Sequence, residues 1–175
     1  MLLHNSFNLA IESLTLRMAT EIERKFLVKG DEWRTLATGI VYRQGYLSTK
    51  KDCSVRVRLV GDRGYLTIKG LTQGFSRAEY EYVIPAEDAR YMLDKLCVRP
   101  LIEKTRYKID YAGLTWEVDE FAGENQGLII AEVELPEENH QIELPNWIDK
   151  EVSDDPRYYN VNLIQQPYMQ WSENS

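Results

Sequence analysis

The chain has 175 residues, 43% hydrophobic and 28% charged, proportions that fit one soluble globular domain with its own core. Its 28 acidic and 21 basic residues give a net charge of −7, which excludes the basic footprint of a general nucleic-acid binder but leaves room for a local basic pocket. No apolar run approaches the roughly 20 residues of a membrane-spanning helix. Cys53 and Cys97 have no CxxC spacing, so two thiols in a reducing compartment, the cytoplasm, are expected.

Residues 1–17 lack the basic start and small-residue cleavage site of a secretory signal. They read as an N-terminal extension, with Met18-Ala19-Thr20-Glu21 as the natural start, although Leu9, Glu12 and Leu16 could share one face of a short helix. Residues 18–175 are expected to form a single domain.

Alternation of period two predicts a first strand over 21–28. A short helix is predicted from Asp31 to about Thr38, with Asp31 as its N-cap. Strands are predicted next at 40–48, 54–60, 64–70 and 76–84. A helix over Pro85–Cys97 has Pro at its start, Glu87 and Asp88 in its first turn, and Met92, Leu93 and Leu96 on one face. Strands at 103–111, 114–121 and 128–135 bring the number to eight. Short joins such as Gly61-Asp62-Arg63-Gly64 and Tyr111-Ala112-Gly113 imply antiparallel neighbours. Beyond Leu135 the alternation stops, and Pro145 and Pro156 mark a tail of short helices.

Each strand sorts its side chains into two rows. One row is apolar: Ile22 and Phe26; Val55, Val57 and Leu59; Leu66 and Ile68; Tyr80, Tyr82 and Ile84; Tyr107 and Ile109; Trp116 and Val118; Val133 and Leu135. The other is charged, and like signs recur two residues apart. Acidic pairs are Glu21/Glu23, Glu79/Glu81, Glu117/Asp119 and Glu132/Glu134; basic pairs are Arg56/Arg58 and Lys104/Arg106, with Lys25, Lys69 and Arg77 on the same rows. Spacing alone leaves two arrangements open, a charged row in solvent or one facing inward. A solvated face gains most from mixed signs, because adjacent like charges repel. Segregated signs are how a site for divalent cations and a polyanion would be lined.

The segment Glu21-Ile22-Glu23-Arg24-Lys25 resembles the opening E-x-E-x-K signature of the CYTH superfamily, the triphosphate tunnel metalloenzymes. More specific is the order of the motifs downstream: Val55-Arg56-Val57-Arg58-Leu59, Leu66-Thr67-Ile68-Lys69-Gly70, Arg77-x-Glu79-x-Glu81, Glu103-Lys104-x-Arg106, Trp116-Glu117-Val118-Asp119 and Glu132-Val133-Glu134-Leu135. Asp155-Pro156-Arg157-Tyr158-Tyr159-Asn160 looks like the small bacterial members. The resemblance covers Met18 to Leu163. It implies a mainly β fold, an eight-stranded antiparallel barrel or tunnel with a charged interior and peripheral helices.

It further implies that Glu21, Glu23, Asp119, Glu132 and Glu134, with Glu117 a weaker candidate, hold Mg²⁺ or Mn²⁺. Lys25, Arg56, Arg58, Lys69 and Arg106 match the phosphate-binding positions of the family, and Arg77 and Lys104 have the right parity. Tyr46 resembles a tyrosine that some members pair with a lysine of the Lys69 type. Glu21, Glu23, Lys25 and Arg58 are the expected catalytic residues. The activity implied is metal-assisted hydrolysis of a small-molecule triphosphate or polyphosphate, first of all inorganic tripolyphosphate. Thiamine triphosphate hydrolysis, adenylate cyclisation and non-catalytic polyphosphate binding are the alternatives. No nucleic-acid or membrane partner is expected; a homodimer would cover outward apolar faces, unless tail helices do so.

Overall fold

A computed structural model describes residues 22–50, 52–71, 78–137 and 139–171. Glu21, Arg77 and the extension before Met18 lie outside the described residues. One antiparallel sheet of nine strands dominates, in the order β5-β4-β3-β2-β6-β7-β8-β1-β9. Its strands are β1 (Ile22–Val28), β2 (Ile40–Thr49), β3 (Cys53–Val60), β4 (Arg63–Gly70), β5 (Glu79–Ile84), β6 (Ile102–Tyr111), β7 (Leu114–Phe121), β8 (Ile129–Leu135) and β9 (Ile148–Glu151). The eight predicted strands are all present. The ninth stands where the sequence predicts tail helix; it is four residues long and pairs with the outer edge of β1. The Arg24 guanidinium fixes it there by donating to both carboxylate oxygens of Glu151, at 2.8 and 2.5 Å.

The sheet curls until β1 and β5, far apart in strand order, line one cavity, yet no ladder joins β5 to β1 or β9 among the described residues. The barrel is thus a tunnel wall left open along one seam. Tight hairpins set the register. Between β6 and β7, Ala112 and Gly113 both take positive φ, 49° and 80°, as a two-residue type I′ turn requires.

The apolar row faces outward and is covered by three elements. Trp33, in a 3-10 turn over Glu32–Thr35, and Trp147, ahead of β9, pack with Phe26, Trp116, Val118 and Val133. Asp31 does not cap that turn with its side chain; its carboxylate accepts from Arg34 instead. Helix α1 (Ala86–Lys95) lies over β3 and β4 and buries Ala89 and Leu93 against Val57 and Leu59. Gly64 allows that approach, since a Cβ there would sit 2.8 Å from the Ala89 Cβ. Leu96, predicted on the buried face, is 56% exposed, and Cys97 takes its place in the cluster. Both thiols are free, Cys53 exposed and Cys97 buried. Tyr80 and Tyr82 on β5 remain about half exposed, at 46% and 54%.

The tail does something the sequence does not suggest. Leu27, Ile102, Phe121 and Ile130 occupy the same inward row as Lys25, Lys104, Asp119 and Glu132, two residues further along each strand. Leu163 and Ile164, at the end of α2 (Asn160–Leu163), pack on that apolar stretch. The C-terminal segment therefore plugs one end of the tunnel rather than shielding the outer face. No helix among the described residues is long and apolar enough to cross a membrane.

Candidate functional site

The inward row lines a cavity of about 1110 Å³. Glu23, Lys25, Arg56, Arg58, Lys69, Lys104, Arg106, Glu117, Glu132 and Glu134 all reach it, placed there by strand parity alone. Tyr46 does not; it joins the apolar plug beside Arg56. Asp119 lies beneath the surface, fully buried between Lys104 and Arg106.

The two signs concentrate on different walls. Strands β3 and β4 carry Arg56, Arg58 and Lys69, with Glu79 and Glu81 of β5 paired to them, while β1, β7 and β8 carry Glu23, Glu117, Glu132 and Glu134. Cross-strand register puts Glu23 directly opposite Glu134 and Glu117 directly opposite Glu132. Like charges so placed destabilise a sheet unless a cation lies between them. Lys25 supplies part of this, bridging Glu132 at 2.6 Å and Glu23. The Glu23 and Glu134 carboxylates form an oxygen-only pair suited to a hard divalent ion. Among the described residues no three acidic, thiol or imidazole groups converge closely enough to hold a metal by themselves. The donor set thus fits an ion that takes its remaining ligands from substrate oxygens and water.

Arg106 gathers the acids of β7 and β8. Its guanidinium grips Asp119 in a fork, Nε to Oδ1 at 2.6 Å and Nη2 to Oδ2 at 2.5 Å, and reaches Glu132 at 2.9 Å as well as Glu117. Burial works against its charge, but Asp119, Glu132 and Glu117 more than compensate and raise its pKa. Burial likewise opposes the Glu132 charge, yet Lys104, Lys25 and Arg106 hold that carboxyl well below the usual range. Lys104, completely enclosed, is pushed down by desolvation in spite of Asp119.

The basic wall is under-compensated. Burial and the neighbouring Arg58 lower the Arg56 pKa. The Nη2 of Arg58 donates to Glu81 at 3.0 Å, and Lys69 pairs with Glu79 at 2.9 Å. Yet the buried Nε atoms of Arg56 and Arg58 and the Nε2 of Gln44 donate to nothing among the described residues. Such donors cost free energy unless a ligand or water accepts from them.

Sequence reasoning misses Gln44 and the C-terminal Asn160, which also lines the cavity. Both are neutral amides outside the charged pairs, and nothing in their spacing separates them from solvated residues.

A profile for the CYTH domain matches residues 19–167. An inorganic triphosphatase of Acetivibrio thermocellus is 56% identical over 156 residues, 89% of this chain and 100% of that protein. One from Nitrosomonas europaea is 39% identical over 152 residues, 82% and 96% of the two chains. The crystal structure of an inorganic triphosphatase superposes with a TM-score of 0.64 at 34% identity, covering 84% of this chain and 95% of that one.

Proposed function

From the premise that the chain belongs to the CYTH domain family, we propose that it hydrolyses inorganic tripolyphosphate to pyrophosphate and phosphate in this tunnel. The observation that carries the reading is a single cavity with orphaned, buried arginine donors on one side and facing carboxylate pairs on the other. Guanidinium forks suit phosphate oxygens, and Lys25 and Lys69 add point charges. Glu79 and Glu81 hold Lys69 and Arg58 in position until phosphate oxygens replace them.

Glu23 and Glu134, with Glu117, Glu132 and, from the family pattern, Glu21, would hold Mg²⁺ or Mn²⁺, whereas Asp119, which the family pattern also offers, is buried under Lys104 and Arg106 and secures those two cations instead. Such an ion supplies charge neutralisation on phosphate oxygens and a more acidic water. The acidic wall orients the attacking water in line with a terminal phosphorus by accepting its hydrogen bonds, and a carboxylate there takes its proton. The water oxygen bonds to phosphorus as the bridging P–O bond breaks, and pyrophosphate leaves with that electron pair. Arg58, Arg56 and Arg106 stabilise the charge that develops. Free Cys53 and Cys97 suit action in the cytoplasm.

The test is phosphate release from tripolyphosphate, thiamine triphosphate and ATP, each with Mg²⁺, Mn²⁺ or chelator. Turnover should be greatest with tripolyphosphate and abolished by chelator; ATP preferred, with cyclic AMP as product, would sink the hydrolase reading. Arg58→Ala should cost about 2–3 kcal/mol in kcat/KM, the scale of a charge-assisted hydrogen bond left unmade. Because the contact is to phosphate, the loss should be similar for every triphosphate accepted. Wild-type kinetics in that variant would remove Arg58 from the site.

A further inference from the structure

We propose that Gln44 is a substrate-binding residue: its carboxamide donates to a phosphate oxygen held at the same time by Arg58. This rests on the reading of the tunnel as a polyphosphate site. Gln44 is on β2 directly opposite Arg58 on β3, and on its other side it faces Ile102 of β6. It thus marks the boundary at which the inward row passes from charged to apolar, beside the plug formed by Ile102, Phe121 and Ile130.

Three features set it apart from an ordinary strand glutamine. It is only 3% exposed, yet it lines the cavity. Its Nε2 has no acceptor among the described residues. The orphaned Nε atoms of Arg56 and Arg58 lie on the adjacent strand, and both residues line the same cavity. An acceptor-rich group seated among the three would satisfy them together, and a phosphoryl group offers oxygens for all of them.

The chemistry explains why a neutral amide is useful at this point. Arg58 and Arg56 are engaged by Glu81 before substrate arrives, so part of their grip goes to breaking those ion pairs. A carboxamide donates N–H without drawing a carboxylate into the tunnel as strongly as a cation would. It also adds no further like charge beside Arg56, whose cation is already disfavoured by burial and by Arg58. Gln44 therefore supplies grip on the ground-state phosphate at no cost in ion-pair competition.

The experiment compares wild type with Gln44→Leu and Gln44→Glu, using tripolyphosphate as the probe. If Gln44 serves the ligand, Gln44→Leu removes an unsatisfied buried donor and leaves Tm unchanged or higher, while KM rises at least about tenfold and kcat changes little. Gln44→Glu competes for Arg58 as Glu81 does and should weaken binding further. A KM within about twofold of wild type in Gln44→Leu overturns the proposal, whichever way Tm moves. Should Gln44→Leu fail to fold, Gln44→Met, unbranched and closer in shape, is judged by the same criteria. If the wild-type protein releases no phosphate at all, the triphosphatase reading fails first. The subsite is then decided by calorimetric Kd for tripolyphosphate, and equal Kd for wild type and variant overturns it.

Discussion

Asp119→Asn is expected to lose about 3–5 kcal/mol of folding stability, the scale for removing one partner of a buried ion pair. Asp119 is wholly buried and receives both the Lys104 ammonium and the Arg106 fork. The amide keeps the shape but cannot offset two enclosed cations, and Lys104, already disfavoured as a cation, is hit hardest. A companion Lys104→Met/Asp119→Asn protein should recover the part of the loss that comes from Lys104, because the unpaired ammonium is gone, while Arg106 keeps Glu117 and Glu132. Urea midpoints at about pH 7 decide the matter; a midpoint for Asp119→Asn equal to wild type would show that the pair is dispensable. The neighbouring Glu132 gives a pH signature. Its folded-state pKa is depressed below the ordinary 4.5, so its contribution is fully present above about pH 4.5 and is lost as pH falls towards the folded value.

The second large effect should be on rate and not on stability. Glu23→Gln and Glu134→Gln are each expected to lower kcat on tripolyphosphate about 100-fold, or about 2.7 kcal/mol. The metal concentration for half-maximal rate should rise about tenfold, or about 1.4 kcal/mol. Both residues face each other across β1 and β8, so neutralising one relieves a like-charge repulsion, and Tm should hold or rise. This divergence separates a ligand carboxylate from a structural one. Full activity with an unchanged metal requirement in both variants would rule out the acidic wall as the metal-holding side.

Legibility in the sequence comes from periodicity. Eight strands can be read because period-two alternation runs through each and glycine-marked turns end several of them. β9 cannot, because Ile148-Asp149-Lys150-Glu151 is too short for alternation to show and lies just beyond a proline that reads as a helix start. The like-sign pairs indicate which residues share a wall, and parity brings ten of them to one cavity. Periodicity gives no direction, so the inward sense comes from family resemblance. Nor can it show where along a row charge ends. Ile102, Phe121 and Ile130 sit on the charged row, but only tertiary contact with Leu163 and Ile164 makes them a plug. Helical spacing puts Leu96 inward, but the helix has already given way at that residue and Cys97 turns in instead.

The strand order also dictates when the site can exist during synthesis. β2, β3 and β4 are consecutive in sequence and adjacent in the sheet, so the basic wall is a local meander. The acidic wall needs β1 beside β8, and its Lys25–Glu132 contact spans 107 residues. On the ribosome, β1 must wait until nearly the whole domain has emerged. Closing such a distant pairing is slow relative to forming hairpins. Refolding should therefore regain β-sheet signal before it regains catalysis, and the two recovering together in a stopped-flow experiment would refute that order. A cationic half-tunnel, held apart from its counter-wall, is then the form in which the nascent chain first meets the anions of the cell.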